Sequence, residues 1–253
     1  MSAGMDELLE PYAHDQPEYA RVFGTFLTHT DQKTKATEWL TDFVNRLRSH
    51  DLFIDAGAGD GSVTAALAKF FDRTIAIEPN SALRSELEQR CPEAEIVEVP
   101  IGEASIVSLA DFVLCSHVLY YIPAKDWTDT LERLSSWLGT NGAVVVLLAN
   151  SNADVIALPR EFFGKNFNLA PVVQEFKAHH HDFEIQMHTM NCEIVVNDLE
   201  SACMLTRFFL SDYPYWGSSV TRRRVEEYVR NHFIDPRGYR LSCDQDALSI
   251  LRR

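Results

Sequence analysis

Positive charge is scarce in this chain. Its 253 residues hold 23 lysines and arginines against 37 aspartates and glutamates, a formal charge of -14. A phosphate-binding surface needs clustered Lys and Arg. The densest basic run, Arg222-Arg223-Arg224, is followed by Glu226 and Glu227 and reads as the solvated face of a helix. Nucleic acid and anionic membrane are therefore not expected as partners; a neutral or cationic small molecule suits the field better. Long apolar runs are also missing, and none approaches the ~20 residues of a membrane span. The N-terminus is acidic and polar, without an apolar signal core. Cysteine is sparse and odd in number: Cys91, Cys115, Cys192, Cys203 and Cys243, no two in C-x-x-C spacing. That usage argues against a disulfide framework or thiolate metal centre and for reduced thiols in a soluble, cytoplasmic protein. No P-loop, zinc pattern or Ser-His-Asp order is present at useful spacing. His179-His180-His181 with His188 suggests metal, but three consecutive residues cannot point one way. They read as a solvated linker, and no metal is expected.

What the chain does have is a strand–helix rhythm. Its first eighteen residues look irregular. Tyr19, Val22, Phe23, Phe26 and Leu27 then recur at helical spacing. Thr30 or Asp31 can cap a second helix whose apolar face carries Ala36, Trp39, Leu40, Phe43, Val44 and Leu47. From residue 51, short apolar runs alternate with helical patterns. Strands are expected at Leu52–Asp55, Thr74–Ile77, Glu95–Val99, Phe112–Cys115 and Ala143–Ala149. Helices are expected at Ser62–Phe70, from Pro79-Asn80-Ser81 onward, and at Ala124–Leu138, the last stopped by Gly139-Thr140-Asn141-Gly142. Apolar strands without alternation belong to a parallel sheet covered on both faces. Past residue 150 the rhythm loosens. Strands at Phe183–Met187, Cys192–Val196 and Ala247–Leu251 and helices at Asp198–Leu210 and Ser219–His232 are expected.

The strongest local signal is Asp55-Ala56-Gly57-Ala58-Gly59-Asp60-Gly61, between a buried strand and a helix. So tight a turn needs residues that tolerate positive φ, and missing side chains let a ligand approach the backbone. The helix start offers N–H groups to a carboxylate or phosphate. The glycines run 57, 59, 61, which is not the dinucleotide G-x-G-x-x-G. The second strand ends at Glu78. An acid about 20 residues past such a turn is placed to accept hydrogen bonds from two ribose hydroxyls; the bland alternative is an exposed Glu beside a proline turn.

The acid before the glycines, the Gly57-x-Gly59-x-Gly61 spacing and Glu78-Pro79 resemble class I S-adenosylmethionine-dependent methyltransferases. The resemblance implies an α/β, Rossmann-like seven-stranded sheet with its last strand antiparallel, and S-adenosyl-L-methionine as cofactor. It implies cofactor contacts from Asp55, Gly57, Ala58 and Gly59 at the first turn, and from Glu78 and Pro79 at the ribose. Ile101 and Gly102 would flank the adenine, and Ser116, His117 and Tyr121 would lie under the methionine arm. A narrower resemblance, to the histamine N-methyltransferase family, rests on Tyr19-x-x-x-Phe23-x-x-Phe26-Leu27-x-His29-Thr30, Glu78-Pro79-x-Ser81-Ala82, Leu119-Tyr120-Tyr121 and Leu138-Gly139-Thr140-Asn141. It implies an N-terminal helical region closing over the cofactor and an acid near Asp31-Gln32-Lys33 holding a substrate amine. That family's substrate-binding Asn has no counterpart here.

The organisation expected on these grounds is a single methyltransferase domain over 1–253. A helical cap occupies 1–48, the cofactor-binding core 50–150 and a substrate-cap insertion 197–245. The expected reaction is methyl transfer to a small molecule, first to an amine nitrogen. Oxygen, sulfur or protein acceptors and a non-catalytic cofactor-binding partner remain alternatives. A nicotinamide oxidoreductase is opposed by the glycine spacing and the lack of a Tyr-x-x-x-Lys pair. The catalytic candidates are His117, Tyr19, His29 and Asp31. His117 sits where the fourth strand ends at the ligand crevice. Tyr19 reads equally as packing or as a site wall, and His29 as a helix-end cap. Tyr213-Pro214-Tyr215-Trp216 reads as packing or as a substrate wall.

Overall fold

The structure is a computed structural model that describes residues 7–13, 16–164, 168–211 and 220–253. In chain order its elements are α1 (Pro17–His29), α2 (Gln32–Val44), β1 (Leu52–Ala56), α3 (Ser62–Ala68), β2 (Arg73–Ile77), α4 (Ser81–Arg90), β3 (Glu95–Val97), β4 (Ala110–Ser116), α5 (Trp127–Ser136) and β5 (Leu138–Ala149). There follow α6 (Asp154–Phe163), α7 (Ala170–His179), β6 (Phe183–Met190), β7 (Glu193–Val196), α8 (Leu199–Ser211), α9 (Arg222–His232), β8 (Ile234–Asp235), β9 (Gly238–Ser242) and β10 (Gln245–Arg252). The chain divides into two compact units. A sheet unit takes 36–148, 169–190 and 246–253; a helical unit takes 1–35, 149–168 and 191–245. The expected N-terminal cap, 1–48, is divided between them after residue 35, whereas the expected insertion, 197–245, lies wholly in the helical unit.

In the sheet unit seven strands run in the order β3-β2-β1-β4-β5-β10-β6, with the last strand of the chain, β10, antiparallel, as the resemblance implies. β1 pairs in parallel with β2 and β4, and β4 with β5. All five β1 residues are buried, as are the last eight of β5, which is why these strands read as apolar runs without alternation. Rings of Phe43, Phe53, Phe71 and Phe112 pack with centroids 5.4 to 6.0 Å apart. Burying each such ring contributes about 1.5–3 kcal/mol. The Asp111 carboxylate ties the strand starts together, accepting the N–H groups of Asp51 (2.6 Å) and Leu52 (3.0 Å).

One boundary differs from the sequence expectation. Gly139-Thr140-Asn141-Gly142 does not stop a helix; it lies inside β5, and α5 already ends at Ser136. Ala110 pairs with Leu138 but Phe112 with Ala143, so the β5 side bulges by extra residues. A Cβ at Gly142 would meet the Ala110 carbonyl at 2.6 Å, and Asn141 takes φ 63°. The glycine and asparagine thus serve a bulge, whose chemistry matches that of a helix stop.

In the helical unit α1 packs on α8 through Tyr19, Phe23 and Phe26 against Phe208, at 5.2 to 6.3 Å. The strands β7, β9 and β8 form a three-stranded antiparallel sheet. Its charged knot is Glu193, which accepts both terminal nitrogens of Arg237 (2.7 and 3.0 Å) and Nε of Arg240 (2.7 Å). Those guanidinium hydrogen bonds hold the Glu193 carboxyl down at about 2. The α6 and α7 helices and the β8–β9 hairpin were not expected from sequence. The four-residue aromatic run 213–216 lies outside the described residues.

The histidine run is not a linker throughout. His179 ends α7, and His180 stacks on Phe176 at 4.1 Å and meets Glu132 at 3.1 Å. His188 lies in β6 and stacks on Trp39 at 5.7 Å. Among the described residues no three His, Cys, Asp or Glu side chains gather as metal donors, and no helix is long and apolar enough to cross a membrane.

Candidate active site

The site is built where parallel strands end. β1 delivers Asp55 and Ala56 into the turn 57–61, whose three glycines all take positive φ: 92°, 56° and 79°. The turn holds its own shape. Gly57 and Ala58 donate their N–H groups to the Ile77 carbonyl (2.9 and 3.0 Å), and Gly61 donates to Ala58 (3.0 Å). Gly59 donates to Glu78 Oε2 (2.8 Å), and the Ser62 N–H is taken by Asp60 (3.0 Å). These N–H groups fix the turn itself, and Asp60 folds back over Ser62 at the start of α3. Arg90 of α4 clamps that contact, donating to the Asp60 carbonyl (2.7 Å) and Ser62 Oγ (2.6 Å).

Two glycines are required by close approach as well as by φ. A Cβ on Gly57 would lie 2.3 Å from Val118 Cγ2, so the segment after β4 rests directly on the first glycine. A Cβ on Gly61 would lie 2.8 Å from Leu87 Cδ1, which lets α4 pack against the turn. Gly59 and Gly102 differ. A Cβ at either would meet nothing within 4 Å, so open space lies beside their backbone.

Asp55 and Glu78 end neighbouring strands. Asp55 is 2% exposed and accepts the Thr64 hydroxyl at 2.7 Å. Burial pushes its carboxyl up to about 7; the Thr64 bond opposes the shift and the nearby Glu78 charge adds to it. Glu78 is buried, and its second oxygen accepts the Asn80 N–H at 2.8 Å. Asn80 in turn caps α4 by accepting from Ala82 and Leu83, so Pro79-Asn80 both starts the helix and orients the carboxylate.

The remaining candidates in this unit follow β3 and β4. Ile101 is buried and Gly102 exposed, in a turn closed by Glu103 and Ala104 N–H groups on the Pro100 carbonyl (2.8 and 3.1 Å). Ser116 is the last residue of β4, and His117 follows with φ 58°. A left-handed backbone at a non-glycine costs about 1–3 kcal/mol and persists only where its surroundings hold it. Here the His117 N–H is held by the Leu147 carbonyl (2.9 Å) and its ring is stacked with Tyr120, with centroids 6.0 Å apart. Tyr121 is 87% exposed.

Tyr19, His29 and Asp31 belong to the helical unit. Tyr19 sits in the α1–α8 aromatic packing. His29 closes the end of α1, its Nδ1 2.8 Å from the Thr25 carbonyl. Asp31 is bound on both carboxylate oxygens, by the Glu193 N–H (2.9 Å) and by Lys35 (2.6 Å). Thr30, not Asp31, supplies the side-chain cap to Gln32 (3.1 Å). These contacts give all three a structural role within their own unit. Thr64 and Asn80 were not singled out as site residues from the sequence, and Val118 was expected only as part of the run after β4, not as the contact of Gly57. Asn80 left its signal as a helix cap after proline; Thr64 left none.

The strand order, the glycine turn and the acid at the end of β2 together define a class I methyltransferase fold. The family model for a methyltransferase domain matches residues 27–194, about two thirds of the chain. The chain belongs to that methyltransferase domain family. Among curated relatives, an uncharacterized methyltransferase of Alkaliphilus oremlandii is 22% identical over 187 residues, 72% of this chain and 74% of the relative. A Dictyostelium discoideum protein provisionally named a methyltransferase is 36% identical over 66 residues, so this chain spans about a quarter of its length (25%). Among solved structures, the N-methyltransferase NodS of Bradyrhizobium japonicum in complex with S-adenosyl-L-homocysteine is 12% identical with a TM-score of 0.52, covering 94% of this chain and 89% of that one. At that identity the likeness is one of fold.

Proposed function

We propose that this chain is a cytoplasmic enzyme that moves a methyl group from S-adenosyl-L-methionine to an amine nitrogen of a small molecule. The observation that carries the reading is the pairing of the self-fixed 57–61 turn with the Glu78 carboxylate at the ends of adjacent strands. The residues fit such a cofactor on two counts. Each Glu78 oxygen accepts one backbone N–H and retains a lone pair for a ribose hydroxyl. The backbone at Gly59 and Gly102 faces open space where a side chain, or a ligand, has room. S-adenosylhomocysteine in the NodS structure supports the same cofactor class.

When bound, the cofactor supplies a methyl group already activated on a sulfonium. The chain has to hold the parts in line and keep water out; such positioning contributes about 7–11 kcal/mol of barrier lowering. In this reading Glu78 holds the ribose, with Pro79 fixing the chain beside it. The turn Asp55-Ala56-Gly57-Ala58-Gly59 cradles the methionine end, Ile101 and Gly102 bound the adenine, and Ser116, His117 and Tyr121 line the methyl side. An amine must arrive neutral, and His117 is the residue assigned to take its proton. Support for an amine comes from the chain's net charge of -14, which favours a cation, and from the resemblance to histamine N-methyltransferases. The test is incubation with methyl-labelled cofactor and panels of small amines, alcohols, thiols and peptides. Label should enter amines. Label in alcohols, thiols or peptides alone, or in nothing, overturns the acceptor assignment.

A further inference from the structure

The helical unit contains a cavity of about 660 Å³ of its own, lined by α1, α8, α9 and the stretch holding Leu9 and Tyr12. Its walls carry both signs of charge, and half of those six charged residues are already paired. Arg222 meets Glu7 at 3.3 Å and Arg21 meets Glu18 at 3.8 Å. Three groups stand apart. Arg207 is pinned: its guanidinium lies 4.0 Å from the Tyr12 ring centroid and its Nε donates to the Glu10 carbonyl at 2.6 Å. No carboxylate pairs with it among the described residues. Glu200 and Glu226, also on the wall, have no hydrogen-bond or ion-pair partner for their carboxylates among the described residues.

The spacing of these groups is set by the helix. Glu200 and Arg207 are seven residues apart on α8, a rise of about 10 Å. Cys203 and Met204 lie between them on α8, and Leu199 and Val225 also line the wall; burial pushes the Cys203 thiol up to about 12 and so keeps it neutral. A guanidinium fixed before any ligand arrives loses little freedom on binding an anion and matches a carboxylate with two parallel donors. Glu200, two turns from Arg207 on α8, and Glu226 of α9 supply the wall carboxylates that suit an ammonium.

We propose that this cavity binds an elongated amino carboxylic acid, its carboxylate on Arg207, its ammonium on Glu200 and Glu226, and its chain along the apolar part of the wall. The site does not depend on the cofactor reading, because every residue in it belongs to the helical unit. A compound with one charge only leaves one end of the cavity unpaired and binds worse, since a desolvated charge without its partner is costly.

The experiment is calorimetric titration of the full chain with 6-aminohexanoate, beside hexylamine and hexanoate as single-charge controls. The expected result is saturable binding of 6-aminohexanoate at least tenfold tighter than either control. Glu226→Gln and Arg207→Met should each weaken it at least fivefold while S-adenosylhomocysteine affinity stays unchanged. Arg207 also braces Tyr12, so melting curves accompany both variants. Glu226→Gln, which breaks no hydrogen bond or ion pair among the described residues, decides the matter if the arginine variant unfolds. No saturable binding at millimolar ligand, equal binding of hexylamine, or an unchanged affinity in folded Glu226→Gln overturns the proposal.

Discussion

Replacing Glu78 by glutamine changes one charge and almost no volume, at the residue on which the cofactor assignment turns. In the folded chain each carboxylate oxygen accepts one backbone N–H, from Gly59 and from Asn80, both at 2.8 Å. Glutamine keeps one acceptor and turns an amide N–H₂ toward the other donor. The internal cost is one charge-assisted hydrogen bond, about 1.5–3 kcal/mol. Against a typical stability of about 5–15 kcal/mol, the variant stays folded with a lowered Tm. Ligand binding loses more. Two ribose hydroxyls on a carboxylate contribute roughly 1.5–3 kcal/mol each, and glutamine retains about one weaker bond. The net loss is about 1.5–4 kcal/mol, or roughly 10- to 1,000-fold in Kd. Calorimetry with S-adenosylhomocysteine on wild type and Glu78→Gln measures it, with thermal melts run in parallel. Glu78→Ala should weaken binding at least tenfold too. An unchanged Kd in a folded variant refutes the ribose assignment.

Gly57→Ala combines a left-handed φ of 92° with a Cβ 2.3 Å from Val118. It should cost about 2–4 kcal/mol in urea unfolding, and Val118→Ala should restore the steric part only. Asp55 gives a pH signature. Its folded pKa of about 7 lies above its ordinary 3.8, so the folded state holds the proton more tightly. Its contribution is full below about pH 4 and falls as pH rises through 7. Melts across pH 4–8 should show wild type losing stability relative to Asp55→Asn; parallel curves would contradict it. Glu193 runs the other way. Its carboxyl, held at about 2 by Arg237 and Arg240, contributes above its ordinary 4.5, and that contribution is lost as pH falls toward 2. Glu193→Gln should therefore flatten the acid limb of the melting profile.

How much of this was readable beforehand varies along the chain. Between residues 51 and 149 the parallel strands are buried on both faces, and burial writes itself as apolar runs such as Leu52–Ala56 and Ala143–Ala149. The glycine turn and Glu78 were readable because each acts through local chemistry, positive φ and an acid at a strand end. The bulge in β5 was misread because Gly139 and Gly142 signal a left-handed backbone without saying which element contains it. The α6 helix was hidden by Pro159 inside it. The β8–β9 hairpin was hidden by strands too short to show a period. Asp31 looked chemical in sequence because the narrower resemblance implies an amine-holding acid near Asp31-Gln32-Lys33. Its actual partners, the Glu193 N–H and Lys35, include one from 162 residues away in the chain, which no local pattern encodes. The approach of Val118 to Gly57, 61 residues apart, is likewise encoded by no local pattern.

The central claim is that the turn at 57–61 and Glu78 bind an adenosyl sulfonium and not a dinucleotide. Calorimetric titration of purified, cofactor-free protein with S-adenosylmethionine, S-adenosylhomocysteine and NADH tests it directly. The account predicts micromolar binding of both adenosyl ligands and none of NADH. A folded sample that binds neither adenosyl ligand, or binds NADH in their place, contradicts it.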